Sequence, residues 1–485
     1  MKLSQLKFEY APTFNDLRLR RTFDKITGLR SRKPSKSIPA QLSLADQKAL
    51  YRLYKNPSFR PDDVLKEHAK RSFERAESES KEGHRILCAH DTTLCSFKLY
   101  SDDTRRENLP KTATYSQGFN VHASLLISAN KNGIPLGIVR ALPWVSSSGL
   151  SDEEKEYWSA RNGCFSNEHV RWIESVRAVE SQATNGLKIV HLQDREGGDY
   201  LSYSLMLNEN VDFIIRSKSK SMFDKKSANS FLAELTKNTP PMMAERMIKI
   251  NVRSDRGRGS KVKATHPARR ERYAKISFWW KEVSLSKPNR PPLHIPKEEW
   301  AGIEKSIKLT MIHLTELNPP DGEKPVNWTL LTNMSIKNES DVYDYIDFYR
   351  LRWRIEDYFK SLKTGCSYLE RQFMSVDGLI CELAVTIPQA WWLLCTRHLS
   401  EEDEKLHALN VIDNLTLVVL KRLTRSYKWP DDPTVRDVHW ATALLGGHRK
   451  NNGPPGWLTL SRGLDELNSA VSGARAILEE MGKSF

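Results

Sequence analysis

A carboxylate set among arginine, lysine, tyrosine and tryptophan is suited to phosphate chemistry, and residues 349–363 carry such a set: Tyr349, Arg352, Trp353, Glu356, Lys360 and Lys363. At about 100° per residue in a helix, Tyr349, Arg352, Glu356, Lys360 and Lys363 fall within about 80° of one another, with Trp353 beside them. Phe348, Leu351, Ile355, Tyr358, Phe359 and Leu362 form the opposite stripe, the one a helix buries. A solvated face laced with i,i+4 ion pairs has the same pattern, so the helical wheel alone leaves both readings open. Two aspartates extend the chemical reading. Arg85-Ile-Leu-Cys-Ala-His-Asp91 and Lys188-Ile-Val-His-Leu-Gln-Asp194 are short apolar runs that each end in an acid. Metal-assisted cleavage of a phosphodiester needs carboxylates from separate elements, because two cations about 4 Å apart require several oxygen ligands. Asp91, Asp194 and Glu356 suit that convergence, although either aspartate alone is more often a turn residue or a helix cap.

The rest of the chain must position these residues. At 485 residues it is too long for one simple core, so two or three structural units are expected. Its net charge of +15 points to polyanionic partners. No apolar run reaches the roughly 18 residues a membrane span requires, and Met1-Lys-Leu-Ser-Gln-Leu-Lys7 has no apolar core resembling a signal peptide. A cytoplasmic protein without a membrane partner is expected. Cys88, Cys95, Cys164, Cys366, Cys381 and Cys395 include no C-x-x-C pair and read as small buried hydrophobes in a reducing compartment.

Residues 1–75 begin with Arg18, Arg20, Arg21, Lys25, Arg30, Arg32, Lys33 and Lys36, followed by a helical pattern from Leu42 to Tyr54 that Asn56-Pro57 ends. Phosphate binding by this small helical unit and a flexible basic tail are the two readings. Strand patterns start near residue 85: Val121–Ala129 and Ile134–Leu142 flank Lys131-Asn-Gly133, a hairpin signal. A helical segment near Asn167–Ser181 precedes the Asp194 strand and Asp212–Arg216, which together suggest a mixed α/β sheet. Met247–Val252, Tyr273–Phe278 and Trp328–Leu331 favour an inserted β-rich lobe, within which Arg256-Gly-Arg-Gly259 is either a phosphate grip or a solvated loop. Beyond residue 375 the pattern is helical. Leu460, Leu464, Leu467, Val471, Ala474 and Leu478 repeat at steps of four and three, a seam able to join two subunits or to pack within one.

Tyr349, Arg352, Glu356 and Lys363 satisfy the spacing Y-x(2)-R-x(3)-E-x(6)-K, preceded in order by Asp91-Thr92-Thr93 and Asp194-Arg195-Glu196. This set resembles the bacterial insertion-sequence transposases of the DDE type, in the subgroup that cuts and pastes through DNA hairpins. Phe213-Ile-Ile-Arg216-Ser-Lys218 and Gly365 are also similar, and the resemblance is strongest over about residues 85–375. Glu168-His-Val-Arg171-Trp172 is only loosely similar, with lysine at the family's equivalent of Arg171, and no function is placed there.

The resemblance implies a ribonuclease-H-like mixed-sheet catalytic core with a β-rich insertion, flanked by helical N- and C-terminal domains. Residues 1–75 would bind DNA ends, 76–374 would form the catalytic domain with an insertion at about 217–340, and 375–485 would dimerise. It implies Asp91, Asp194 and Glu356 as catalytic acids holding two Mg2+ ions, or Mn2+, per active site. Tyr349, Arg352 and Lys363 would bind terminal phosphates. Trp328, or Trp353 beside Glu356, would receive an extruded base, Arg216 and Lys218 would hold the transferred strand, and Lys360 would add a DNA contact. The partners implied are double-stranded DNA, both transposon ends and target, and a second subunit in a paired-end complex, in a bacterial, nucleoid-associated setting. The reaction implied is a nick by water, hairpin formation by the liberated 3′-hydroxyl, hairpin opening, and strand transfer to target DNA. A metal-dependent DNA nuclease that does not join strands, and a domesticated DNA-binding protein without transposition, are the alternatives.

Overall fold

The structure is a computed structural model that describes the chain apart from residues 1–8, 10–13, 15, 100–105, 131–132, 166–168, 185, 219–220, 224–225, 228–229, 233–243, 251–268, 270, 293–294, 296, 403–404, 450–452 and 483–485. The Arg256–Gly259 segment lies outside the described residues. Helices α1 (Leu17–Ser31), α2 (Ile38–Gln41), α3 (Leu44–Tyr54) and α4 (Pro61–Lys81) come first. Strands β1 (Ile86–Lys98), β2 (Lys111–Ala113), β3 (Ser116–Ser128) and β4 (Ile134–Ser146) follow, then α5 (Asp152–Ser159), β5 (Cys164–Phe165) and α6 (Val170–Glu180). The middle of the chain forms β6 (Ile189–Gln193), α7 (Tyr200–Asn208), β7 (Asp212–Arg216), β8 (Met222–Phe223), β9 (Lys226–Ser227), β10 (Ala244–Ile250) and β11 (Arg272–Ser286). After it come α8 (Lys297–Gly302), β12 (Ser306–Glu316), β13 (Asn327–Thr332) and α9 (Glu339–Leu351). The last part holds α10 (Arg354–Lys360), a π-helical turn (Ser361–Gly365), α11 (Val376–Glu402), α12 (Asn414–Leu423), α13 (Val435–Leu445) and α14 (Trp457–Glu480).

Two compact units result: Met1–Lys188 with Leu351–Phe485, and Ile189–Arg350. In the first, β4, β3 and β1 pair antiparallel in that order, with β5 outside β4 and β2 on β3. Gly133 closes the β3–β4 turn at φ +91°, and an added Cβ there would lie 2.6 Å from Leu351 Cδ2. Here only glycine meets both the backbone and the packing demand. Strand β1 does not end at Asp91, as its apolar run suggests, but continues to Lys98. The reason is that Thr93, Cys95 and Phe97 keep alternating inward and pair along the full length of β3.

Helix α11 is the spine of this unit, packing against β4, α4, α13 and the π-helical turn. It corrects the expectation about apolar runs: by length and composition it is able to cross a membrane, yet 89% of its most apolar window is buried inside the unit. Buried polar groups, Glu382, Thr386 and Gln389, interrupt the run and mark it as a core helix. Both guanidinium Nη atoms of Arg30 donate to Glu382, Tyr54 donates its hydroxyl to it at 3.0 Å, and Arg371 forms an ion pair with it at 3.0 Å. Arg371 also donates to the carbonyls of Pro34, Lys36 and Cys366 at 2.8, 2.6 and 3.0 Å.

The Leu460–Leu478 seam is used inside this unit. Leu460, Leu467 and Val471 are buried, and α14 packs on α12 and α13. Gly446 and Gly463 make the closest approach possible, since a Cβ on either would stand 1.8 Å from a carbonyl oxygen of the facing helix, Thr459 or Thr442. Gly463, unfavourable inside an isolated helix, is thus the residue that lets α14 dock.

In the second unit β6 and β7 are parallel, while β7, β13, β12 and β11 run antiparallel, with β8 and β10 on β11. Phe213, Ile214 and Ile215 of β7 and Leu330 and Leu331 of β13 are fully buried, giving this sheet a continuous apolar interior.

Glu382→Gln keeps the shape of the buried cluster but leaves two buried guanidinium groups without their counter-charge. Breaking a buried pair in this way should cost about 3–5 kcal/mol, read from urea unfolding curves. A loss below about 1 kcal/mol, the scale of a surface pair, would contradict this role.

Candidate active site

Arg352 gathers two of the candidate acids in the first unit. The residue is 6% exposed, and its guanidinium donates from Nη1 to Asp91 Oδ2 at 2.8 Å and from Nη2 to Glu356 Oε1 at 3.3 Å. Asp91 is presented by β1 and Glu356 by α10, which packs on β1. The backbone N–H of Thr92 donates to the other oxygen of Asp91, Oδ1, at 2.8 Å. The carboxylate is therefore held at both oxygens.

The helix expected to run unbroken from Tyr349 to Lys363 is in fact three pieces. α9 ends at Leu351, α10 starts at Arg354, and the chain widens into a π-helical turn from Ser361. Glu356 N–H reaches back only to Trp353 O, at 3.0 Å, while Cys366 N–H reaches Ser361 O at 2.8 Å. Arg352 stands in the tight turn between α9 and α10 with its side chain directed to its two acids. The wide turn seats Gly365 where a Cβ would meet Leu393 Cδ2 at 2.6 Å, and the Ser461 hydroxyl donates to the Gly365 carbonyl. Such π turns recur at functional sites.

Burial pushes the Glu356 carboxyl up to about 7; Arg352 opposes that rise, Asp91 adds to it and Lys360 opposes it. Lys360 is exposed and pairs with Asp357 at 2.9 Å. Lys363 is half-buried, and burial lowers the pKa of its ammonium group, with Cys95 acting against that change. The Trp353 ring lies 5.3 Å from the Arg352 guanidinium carbon.

The remaining candidates lie in the second unit. Asp194 follows β6 directly and accepts the N–H of Glu196 at 2.7 Å, a turn held by its own side chain. Lys218 stands just past β7; burial lowers its pKa while Asp199, Asp194 and Glu196 raise it. Arg216 donates to the Asn327 carbonyl at 2.9 Å. Trp328 is the second residue of β13, opposite Leu314 and half-buried, with its ring T-shaped against Tyr349 at 5.5 Å. Tyr349, placed by the helical wheel with the polar set, is 2% exposed.

No sequence motif marks the surroundings of Thr92. His122 and Arg171 reach its hydroxyl from β3 and α6. Only the β1–β3 register, which sets Thr92 opposite His122, would have indicated the first of these contacts.

Residues 203–386 match a family model described as the transposase DDE domain. The match includes Tyr349, Arg352, Glu356 and Lys363 and begins after Asp91 and Asp194. It supports a DDE-type transposase, an enzyme acting on DNA, and the mixed α/β architecture is compatible with a ribonuclease-H-like transposase core.

The raised Glu356 carboxyl gives a pH signature. Between its ordinary value of 4.5 and about 7 the folded protein keeps a proton that the unfolded chain has released. Stability from this group is then greatest at low pH and falls as pH rises toward 7. Glu356→Gln removes the titration, so in chelator-containing buffer the wild-type melting temperature should fall relative to the variant between pH 5 and pH 7.5. Parallel curves would show that the carboxyl titrates in the ordinary range.

Proposed function

We propose that this chain is a cut-and-paste DNA transposase that releases transposon ends through hairpins and joins their 3′-hydroxyls to target DNA. The observation that carries the reading is Arg352 drawing together Asp91, 261 positions away in the chain, and Glu356. Two carboxylates from a strand and a helix that meet on one guanidinium converge on one small volume, and an oxygen-only donor set suits Mg2+ or Mn2+ better than softer ions. Asp91 and Glu356 would hold such ions, with Asp194 assigned to the same set by its Asp-Arg-Glu motif and two ions expected by family resemblance. Bound there, they would activate water or a 3′-hydroxyl and neutralise the phosphate being transferred.

The chain's own groups have separate tasks. Arg352 presents a planar fork matched to phosphate oxygens, and Lys363 adds a cation on the adjacent turn. Tyr349 contributes through the ring on which Trp328 rests, and Trp328 receives the base that leaves the stack when the duplex end folds into a hairpin. Trp353 is the second aromatic candidate. Arg216 and Lys218 hold the transferred strand, and exposed Lys360 adds a backbone contact. Nicking, hairpin formation, hairpin opening and strand transfer are all in-line phosphoryl transfers with the same charge development, so one set of residues serves all four. Arg18, Arg20, Arg21 and Lys25, exposed on α1, supply phosphate contacts for end binding, and two subunits pair two ends.

Asp91→Asn, Asp194→Asn and Glu356→Gln should each abolish cleavage while end binding persists, since each deletes a ligand charge with little change of shape. Near-normal cleavage by any one of them removes that residue from the set. Joining of a pre-cut end in Mg2+ distinguishes a transposase from a nuclease that only cuts and from a DNA-binding protein without chemistry.

Trp328→Ala should leave the first nick nearly unchanged and slow hairpin formation roughly 5- to 150-fold, the equivalent of about 1–3 kcal/mol of base stacking. A gel resolving nicked, hairpin and released DNA, run beside thermal melting, reads both effects. Uniform loss of all steps with a lowered melting temperature would mean that the ring serves packing.

A further inference from the structure

Asp91 and Thr92 are consecutive on β1, so their side chains leave opposite faces of the strand. Thr92 nevertheless touches both faces. Its backbone N–H donates to Asp91 Oδ1 at 2.8 Å, while its hydroxyl lies 2.8 Å from His122 Nδ1 and accepts from Arg171 Nε at 3.2 Å. The anchor behind the strand is rigid and dry. Arg171 is 3% exposed with its guanidinium carbon 4.4 Å from the Trp144 ring centre, and His122 is fully buried with its ring 4.7 Å from that of Trp172.

Arginine can only donate, so the Thr92 oxygen accepts from Arg171, while the bond to His122 Nδ1 can be donated by either the hydroxyl or the ring. Burial, and the positive charges of Arg171 and Arg140, hold the His122 imidazole well below the ordinary histidine range. A threonine clamped from two sides has one χ1 available and a fixed peptide plane.

We propose that Thr92 is a positioning residue for Asp91: Arg171 and His122 lock its hydroxyl on one face of β1, and its N–H thereby aims the Asp91 carboxylate on the other. One Asp91 oxygen is committed to Thr92, leaving the second, the one that meets Arg352, as the oxygen directed at the reaction site. This inference rests on the metal-dependent reading above, because its consequence is the affinity of the Asp91 carboxylate for a divalent ion. Groups that orient a ligand in this way typically alter metal affinity by about 10- to 100-fold.

The test is Mn2+ titration of the full chain by calorimetry, without DNA, at a temperature where melting curves show every variant folded. Thr92→Val keeps the branched shape and the N–H but deletes the hydroxyl; it should weaken Mn2+ binding about 10- to 100-fold. Thr92→Ser restores the hydroxyl and should bind close to wild type. Asp91→Asn identifies the heat that belongs to this carboxylate. If Thr92→Val does not fold, Arg171→Lys, which keeps the charge but withdraws the Nε donor, should show the same weakening. Wild-type affinity in Thr92→Val or in its Arg171→Lys substitute, or equal weakening in Thr92→Ser and Thr92→Val, overturns the positioning role alone. A wild-type chain with no Asp91-dependent Mn2+ heat overturns the metal reading and this inference with it.

Discussion

One buried carboxylate, Glu382, is the constraint on which the first unit depends. Arg30 and Arg371 are almost wholly removed from water, and neither charge is tolerable there without a counter-ion and filled hydrogen bonds. Arg30 and Glu382 lie 352 positions apart, so no local structure can satisfy them. The N-terminal helices must dock on α11 before either group is stable. Arg371 spreads the constraint further, since its donors also fix the Pro34–Lys36 loop and the Cys366 carbonyl at the end of the π-helical turn. Ion clusters of this kind add little net stability over apolar packing, but they penalise wrong docking heavily.

The candidate active site depends on a second buried cation used the same way at smaller scale. Arg352 needs counter-charges, and the nearest are Asp91 and Glu356. The helix is broken at Arg352-Trp353, beside these pairs, and the π-helical turn that follows carries Lys363. The broken helix thus coincides with an ion pair made over a long sequence separation, Arg352 to Asp91. The break gives the signature residues different exposures: Arg352 buried, Glu356 and Lys363 half-buried, Lys360 in water.

Much of this was legible from short-range patterns. The helix ended by Asn56-Pro57, the β3–β4 hairpin closed by Gly133, the strand stopping before Asp194 and the strands of the second unit's β-rich part all follow from turn chemistry and period-two burial. What escaped was non-local. An aspartate in the middle of a strand is disfavoured, so β1 reads as finished at Asp91, and only its pairing with β3 shows that it continues. The 3.6-residue period runs smoothly across Trp353, because nothing local records the partner of Arg352. Tyr349 sits on the polar side of the helical wheel, yet Trp328 packs against it from strand β13. The α14 seam was visible, whereas its use inside the unit was decided by Gly446 and Gly463 at the crossing with α13.

The first unit is made of two stretches separated by Ile189–Arg350, and this has a consequence for the order of synthesis. At the usual 5–20 residues per second, the intervening segment takes on the order of 10–30 s to translate. Through that interval β1, β3, β4 and α4 have left the ribosome without α10 or α11. Asp91 waits without Arg352, Arg30 without Glu382, and the apolar face that α11 later covers stays open to water. The nascent half-unit therefore needs shelter from aggregation, and the acids acquire their shared arginine only when most of the protein has been made.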